Sequence, residues 1–280
     1  MQNGQDLTLK PSLQLEQFKH QLTKSEQKIF QYIQSHPQSI IYDSLTEFAE
    51  KSRVAEATAL RFFRKLGYSG FQAFKLAYAH EQSADRDEKS EHERFSAQIK
   101  HSMATTIEES FELLDESTLS KVIDRIDDSD DVVVFGIGAS GIAGLDMQNR
   151  LMRIGKNITV VTDTHTQIMR ATSATKKTVL IAISLSGSTK EIIDHVQIAK
   201  DKGATIIALT NYAKSPLSSL ADHVLLSSYK ENPLDRGSLI AKVSQLYLID
   251  CICTGLSIKN SEHAQRIKHE ITQHTTPKIY

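Results

Sequence analysis

Ser184, Ser186, Ser188 and Thr189 put four hydroxyl side chains within six positions, with Gly187 among them. The apolar run 179–183 just before them reads as a buried parallel strand. Ile192, Ile193, Val196 and Ala199 just after them carry a helical pattern. The hydroxyls therefore fall at the carboxyl end of a strand, on the turn into a helix. Free backbone N–H groups and the positive end of the helix dipole favour an anion there. Hydroxyls add donors without adding charge, which suits a small phosphate ester. The same residues also fit an ordinary capped turn, because Ser and Thr are common N-caps, although four hydroxyls exceed what a cap requires.

A second candidate loop is Gly136-Ile137-Gly138-Ala139-Ser140-Gly141, which follows the apolar run 132–135. It satisfies G-x-G-x-x-G, and Asp163 follows at the distance of the acidic residue that holds a ribose, so a dinucleotide enzyme must be weighed. Ser140 inside the loop and the second hydroxyl loop suit a monophosphate better than a pyrophosphate. A sugar-phosphate isomerase with an accessory helical domain is a further alternative. It would need a base within reach of the sugar, and Glu191, Glu231 and His165 are the nearby candidates. Glu191, however, starts a helix, where a carboxylate also serves the dipole, and His165 reads equally as a loop or core residue.

Both loops need a scaffold that brings strand ends together. Candidate strands at 132–135, 158–161, 179–184, 205–209 and 223–226 alternate with helical patterns, which predicts a doubly wound α/β domain around a five-stranded parallel sheet. Ligands of such folds bind beyond the carboxyl ends of the strands, near the point where strand order reverses. A helix over 239–256 is apolar on several faces, as expected for core plus a subunit interface. Ile99, Met103, Ile107, Phe111 and Leu114 form a narrow helical stripe that fits either the sheet or a second subunit. The 280 residues carry a net charge of −1 and are 40% hydrophobic, so overall charge says nothing about partners. Cys251 and Cys253, the two cysteines, read as packing residues rather than a disulfide or a metal pair. No cofactor or metal is expected. With no secretory signal and no apolar run of membrane length, a cytoplasmic protein without membrane contact is expected.

The first 80 residues read differently. Thr23-Lys24-Ser25-Glu26 and Ser44-Leu45-Thr46-Glu47 are capping boxes that open helices, and a further helix over 55–66 stops at Gly67. Two short helices joined at Ser52-Arg53-Val54 predict an all-α bundle containing a helix-turn-helix. Its second helix offers Thr58, Arg61, Arg64 and Lys65 to double-stranded DNA, with Ser44 at the start of the first. Residues 1–80 hold ten Lys or Arg against seven Asp or Glu, a modest excess of three that a plain solvated bundle would also tolerate. Residues 81–94, with six acidic and three basic residues, cannot bury a core and read as linker. The expected organisation is 1–80 DNA-binding, 81–116 linker and connecting helix, and 117–280 ligand-binding.

The stretches 44–50, 54–62 and especially Arg61 to Lys75 (Arg64-Lys65-Leu66-Gly67-Tyr68-Ser69-Gly70-Phe71) closely resemble the amino-terminal domain of the RpiR family of bacterial transcription regulators. Arg53 and Ala55 depart from that family's pattern, which has glycine in the turn and serine as the N-cap. Gly136-x-Gly138-Ala139-Ser140, Asp163-Thr164-His165, the 183–191 loop, Ala208-Leu209-Thr210 with Ser215-Pro216-Leu217, and Lys242-x-Ser244-Gln245 resemble the family's sugar isomerase (SIS) domain. The resemblance implies a DNA-binding repressor of sugar or amino-sugar catabolism, not an enzyme, acting as a homodimer or homotetramer. It implies a phosphosugar effector held by Gly138, Ser140, His165, Ser184, Ser186, Gly187, Ser188 and Thr189. The Asp-Thr-His triplet is most similar to the MurR-type branch, which implies N-acetylmuramic acid 6-phosphate.

Overall fold

The computed structural model describes residues 10–84, 95–228 and 239–275. The chain divides into two compact units, with the boundary between Gln98 and Ile99.

The first unit is helical: α1 (Pro11–Phe18), α2 (Lys24–Ser35), α3 (Leu45–Lys51), α4 (Glu56–Lys65) and α5 (Phe71–Ala84). Both capping boxes form as the sequence predicts, with Glu26 and Glu47 reaching back to the N–H groups of Thr23 and Ser44 at 2.8 and 3.0 Å. The core is largely aromatic. Phe48, Phe62, Phe63, Phe71 and Phe74 are buried, with the Phe63 and Phe74 rings 4.7 Å apart between centroids.

α3 ends in a Schellman closure: Arg53 N–H donates to Glu50 O and Val54 N–H to Ala49 O, both at 2.9 Å. This geometry puts the residue after the cap at positive φ, and Arg53 stands there with φ 56°. α4 closes in the same way, through Gly67 and Tyr68, with a glycine at the strained position (φ 96°). An L-residue in the left-handed region costs about 1–2 kcal/mol. The helix-turn-helix therefore carries its strain at Arg53.

The second unit contains α6 (Phe95–Leu113) from Ile99 onward, α7 (Glu116–Asp128), β1 (Asp131–Phe135), α8 (Ala139–Met152), β2 (Thr159–Val161), α9 (Thr164–Thr172) and β3 (Thr178–Ile183). It continues with α10 (Lys190–Asp201), β4 (Thr205–Thr210), α11 (Pro216–Leu220), β5 (His223–Leu226), α12 (Leu239–Lys259) and α13 (Ser261–Thr275). The five strands are all parallel, in the order β2-β1-β3-β4-β5. Side chains alternate across the sheet. Val132, Val134, Ile181 and Leu209 pack with α7, α8 and α12, while Val133, Phe135, Leu180 and Ala208 pack with α9, α10 and α11. Both faces are covered, so the domain is the expected doubly wound one.

α12 is long and apolar enough to cross a bilayer by composition alone. Its apolarity is accounted for by Leu248, Ile249, Ile252 and Leu256, all buried in the core. Cys253 lies there too, and burial pushes its thiol up to about 12, as fits a packing residue. The α6 stripe turns the other way from a sheet cover. Ile99, Ile107 and Phe111 are exposed, whereas Thr106 and Ser110 are buried. Ser110 is drawn inward because its hydroxyl accepts from Ser228 N–H at 2.9 Å.

Candidate functional site

Strand order reverses between β1 and β3: from β1 the chain moves to one edge through β2, and from β3 to the other through β4 and β5. Phe135 pairs with Ala182 in register, so the 136–141 and 184–189 loops leave neighbouring strands side by side. The two sequence candidates thus meet at the topological switch point.

The helix N-termini of this unit differ. Asp115, Asp163 and Ser215 each cap their helix, accepting from Thr118, Thr166 and Ser218 N–H. α8 starts at Gly138 and α10 at Thr189, and neither has a side-chain cap. Of these five N-termini, α7 to α11, the two without a side-chain cap are those at the switch point, so no cap occupies their first N–H groups. Asp163, which the dinucleotide reading needs for a ribose, serves α9. Its carboxyl is held below the usual range by the Thr166 N–H and hydroxyl.

The 184–189 loop is tightly built. Ser184 is buried, its hydroxyl 3.3 Å from that of Thr189, while Ser186 Oγ accepts from Ser188 N–H at 3.2 Å and Ser188 Oγ donates to Ser186 O at 3.0 Å. Gly187 has φ 57°, and a Cβ on it would fall on the Ser215 hydroxyl and press against Thr210. Only glycine fits, and the contact seats the loop on the end of β4 and the start of α11. Asn211 N–H donates to Leu185 O and Leu217 N–H to Gly187 O, both at 3.0 Å.

Ser140 lies in the first turn of α8, where its hydroxyl accepts from Gln245 Nε2 at 2.9 Å. Gln245 sits on α12, 105 residues away; it falls in the Lys242-x-Ser244-Gln245 match but is not among the expected ligand residues. A lone amide on an apolar helix face is the signal that could have found it. His165 is exposed in the first turn of α9, at the same sheet end, beyond β2. Beneath it, Gln167 is fully buried. Its amide donates to Val161 O at 2.8 Å, and its carbonyl lies 2.9 Å from His195 Nδ1. Burial depresses the His195 pKa against the opposing pull of Asp194 and Glu191; because the Gln167 carbonyl can only accept, Nδ1 donates to it and ties α9 to α10. Glu191 is exposed, and Glu231 lies outside the described residues.

In the helical unit α4 carries the candidate DNA face. Arg61 and Arg64 are exposed and Thr58 is half-buried. Arg61 Nε rests on Ala57 O at 3.2 Å. Lys65 turns toward α2 instead, 3.0 Å from Glu26 Oε2 and 3.1 Å from Gln21 O. Burial works against the Glu26 carboxylate, but Thr23 and Lys65 outweigh it and its pKa lies below the usual value. Lys65 thus braces the recognition helix. Ser44, expected among the DNA contacts, is 2% exposed, and its hydroxyl accepts from Glu47 N–H as the α3 cap; in this structure it sets where α3 begins. α4 itself starts at Ala55 without a side-chain cap, and Thr46 Oγ1 reaches Glu56 at 2.5 Å to join the two first turns.

Known proteins show the same arrangement. The family model described as the helix-turn-helix domain of the rpiR family matches residues 11–85, and that of the SIS domain matches residues 125–254. An uncharacterized HTH-type transcriptional regulator of Clostridium perfringens (strain 13 / Type A) is 38% identical over 252 residues, covering 86% of this chain and 90% of its own length. An uncharacterized HTH-type transcriptional regulator of Bacillus subtilis (strain 168), YbbH, is 30% identical over 265 residues, covering 89% and 90%. Among solved structures, the Vibrio vulnificus NanR protein complexed with ManNAc-6P aligns with a TM-score of 0.88. It is 27% identical, over 96% of this chain and 100% of that one.

Proposed function

This chain belongs to the RpiR family of HTH-type transcriptional regulators, whose named relatives are regulators rather than enzymes, and from that premise we propose that a phosphosugar bound at its switch point controls its hold on DNA. The observation that carries the reading is the pair of uncapped helix N-termini, α8 and α10, following the adjacent strands β1 and β3 at one end of the sheet, with Ser140, Ser186, Ser188 and Thr189 in their loops and first turns. Two helix dipoles and several neutral donors suit one phosphoryl group. Gly138 and Gly187 let the backbone close on it, Ser184 orients Thr189, and His165 stands where it can meet the sugar.

NanR, similar over nearly its whole length, was solved with N-acetylmannosamine 6-phosphate. The ligand class favoured here is therefore an N-acetylated amino-sugar 6-phosphate, which also contains N-acetylmuramic acid 6-phosphate. In the cytoplasm a homodimer would place two α4 helices in successive major grooves of a symmetric operator. The exposed α6 stripe supports self-association, in dimers or in tetramers. Repression of sugar catabolism, relieved by the ester, fits this design. The ligand can act only through different affinities for two conformations, with a typical coupling of about 1–3 kcal/mol.

An electrophoretic shift assay tests the proposal, using a duplex that the protein itself selects from a random pool. N-acetylmannosamine, N-acetylglucosamine and N-acetylmuramic acid 6-phosphates are each added. At least one should change DNA affinity by about fivefold or more, and no change with any of them would defeat the proposal.

A further inference from the structure

We propose that Gln245 of α12 forms a third wall of this ligand site and reads a hydrogen-bond donor on the sugar, not the phosphate. The proposal rests on the phosphosugar reading and adds a residue and a chemistry to it. Gln245 is 1% exposed. Its Nε2 donates to Ser140 Oγ at 2.9 Å in the first turn of α8. Its Oε1 is buried and, among the described residues, has no hydrogen-bond partner, alone among their buried side-chain N and O atoms. A buried acceptor without a partner costs about 1–3 kcal/mol. Apolar packing alone would be served better by leucine or methionine on a helix that already buries Ala241, Leu248 and Ile249.

The chemistry selects the partner. A carbonyl oxygen only accepts, and so do the oxygens of an ionised phosphate ester, so Gln245 Oε1 and the phosphate cannot bond to each other. What can satisfy Oε1 is an O–H or an amide N–H, and an N-acetylated sugar has both. The other end of the same amide acts through Ser140. That hydroxyl accepts from Nε2, which leaves its own proton to donate onward to a phosphate oxygen. Gln245 would thus join the two ends of one ligand, completing its own hydrogen bonds as the sugar enters.

The test is titration calorimetry on the full chain, wild type against Gln245→Met. The ligands are N-acetylmannosamine, N-acetylglucosamine and N-acetylmuramic acid 6-phosphates, with inorganic phosphate as the fragment that lacks a sugar. The ester bound best by the wild type should lose about tenfold or more in affinity, the equivalent of one hydrogen bond. Inorganic phosphate should stay within about twofold. Equal losses for ester and phosphate would overturn the proposal, because Gln245 would then only hold Ser140 for the anion. Unchanged affinity for both would overturn it as well. Gln245→Asn, which keeps an amide but shortens its reach, should give the same split and replaces the Met variant if that one fails to fold. A wild type that binds none of the esters would defeat the phosphosugar reading itself, together with this one.

Discussion

In the proposed function the two units would meet phosphate in opposite ways. On α4 the groups are full charges, Arg61 and Arg64, standing in solvent. At the switch point they are dipoles: serine and threonine hydroxyls and the uncapped ends of α8 and α10. Exposed cations keep their hydration until DNA arrives and act at a distance through counterion release. A cleft that must close around one small anion gains more from donors of fixed direction, since a buried unpaired cation would cost far more than a buried hydroxyl. The difference teaches that reach and register come from charge, whereas discrimination comes from preset hydrogen bonds.

That contrast can be broken by variants on either side. The largest effect should come from Ser186→Ala with Ser188→Ala. Losing two hydrogen bonds to a charged group removes about 1.5–3 kcal/mol each, so ester affinity in calorimetry should fall by about 100-fold or more while DNA affinity holds. Loss of DNA binding in the same variant would mean that the loop also serves the helical unit. Arg61→Ala should do the reverse. Fluorescence anisotropy should show weaker DNA binding, with the log–log salt slope reduced by about one unit and ester binding unchanged. If DNA binding is normal at every salt concentration, Arg61 is not on the recognition face. The smallest effect belongs to the turn that aims this face. Arg53→Gly relieves the left-handed strain at the cost of extra chain entropy, and should raise the stability of the helical unit by about 0.5–1 kcal/mol in urea unfolding. A loss of stability would show that the arginine side chain contributes more than the turn geometry takes away.

What the sequence makes legible follows the range of the interactions. Capping boxes span three residues, and both Thr23–Glu26 and Ser44–Glu47 form where the spacing puts them. Strand runs are buried on both faces and so read as continuous apolar segments. The hydroxyl loops could be placed because parallel strands expose their carboxyl ends together. Long-range pairing was hidden. Lys65 looks like a free cation on a basic helix until Glu26 is seen beside it. The α6 stripe fits a core face or a subunit contact equally until Thr106 and Ser110 are seen buried on the other side of the helix, with Ser110 bonded to Ser228. Ser44 looks available to DNA until the packing around α3 buries it. Gln245 stands in the same class, since its meaning depends on Ser140 in another helix.

The central claim is that charge holds the DNA while uncharged donors hold the ligand, and one pair of titrations addresses it. Affinity for the selected duplex and for the best-bound amino-sugar 6-phosphate is measured on the same protein at about 50 and about 200 mM salt. DNA affinity should fall by about 10³-fold or more, while ester affinity moves by less than about threefold. An ester affinity that falls as steeply as that for DNA would contradict the account, because it would put full charges where this structure places hydroxyls and helix ends.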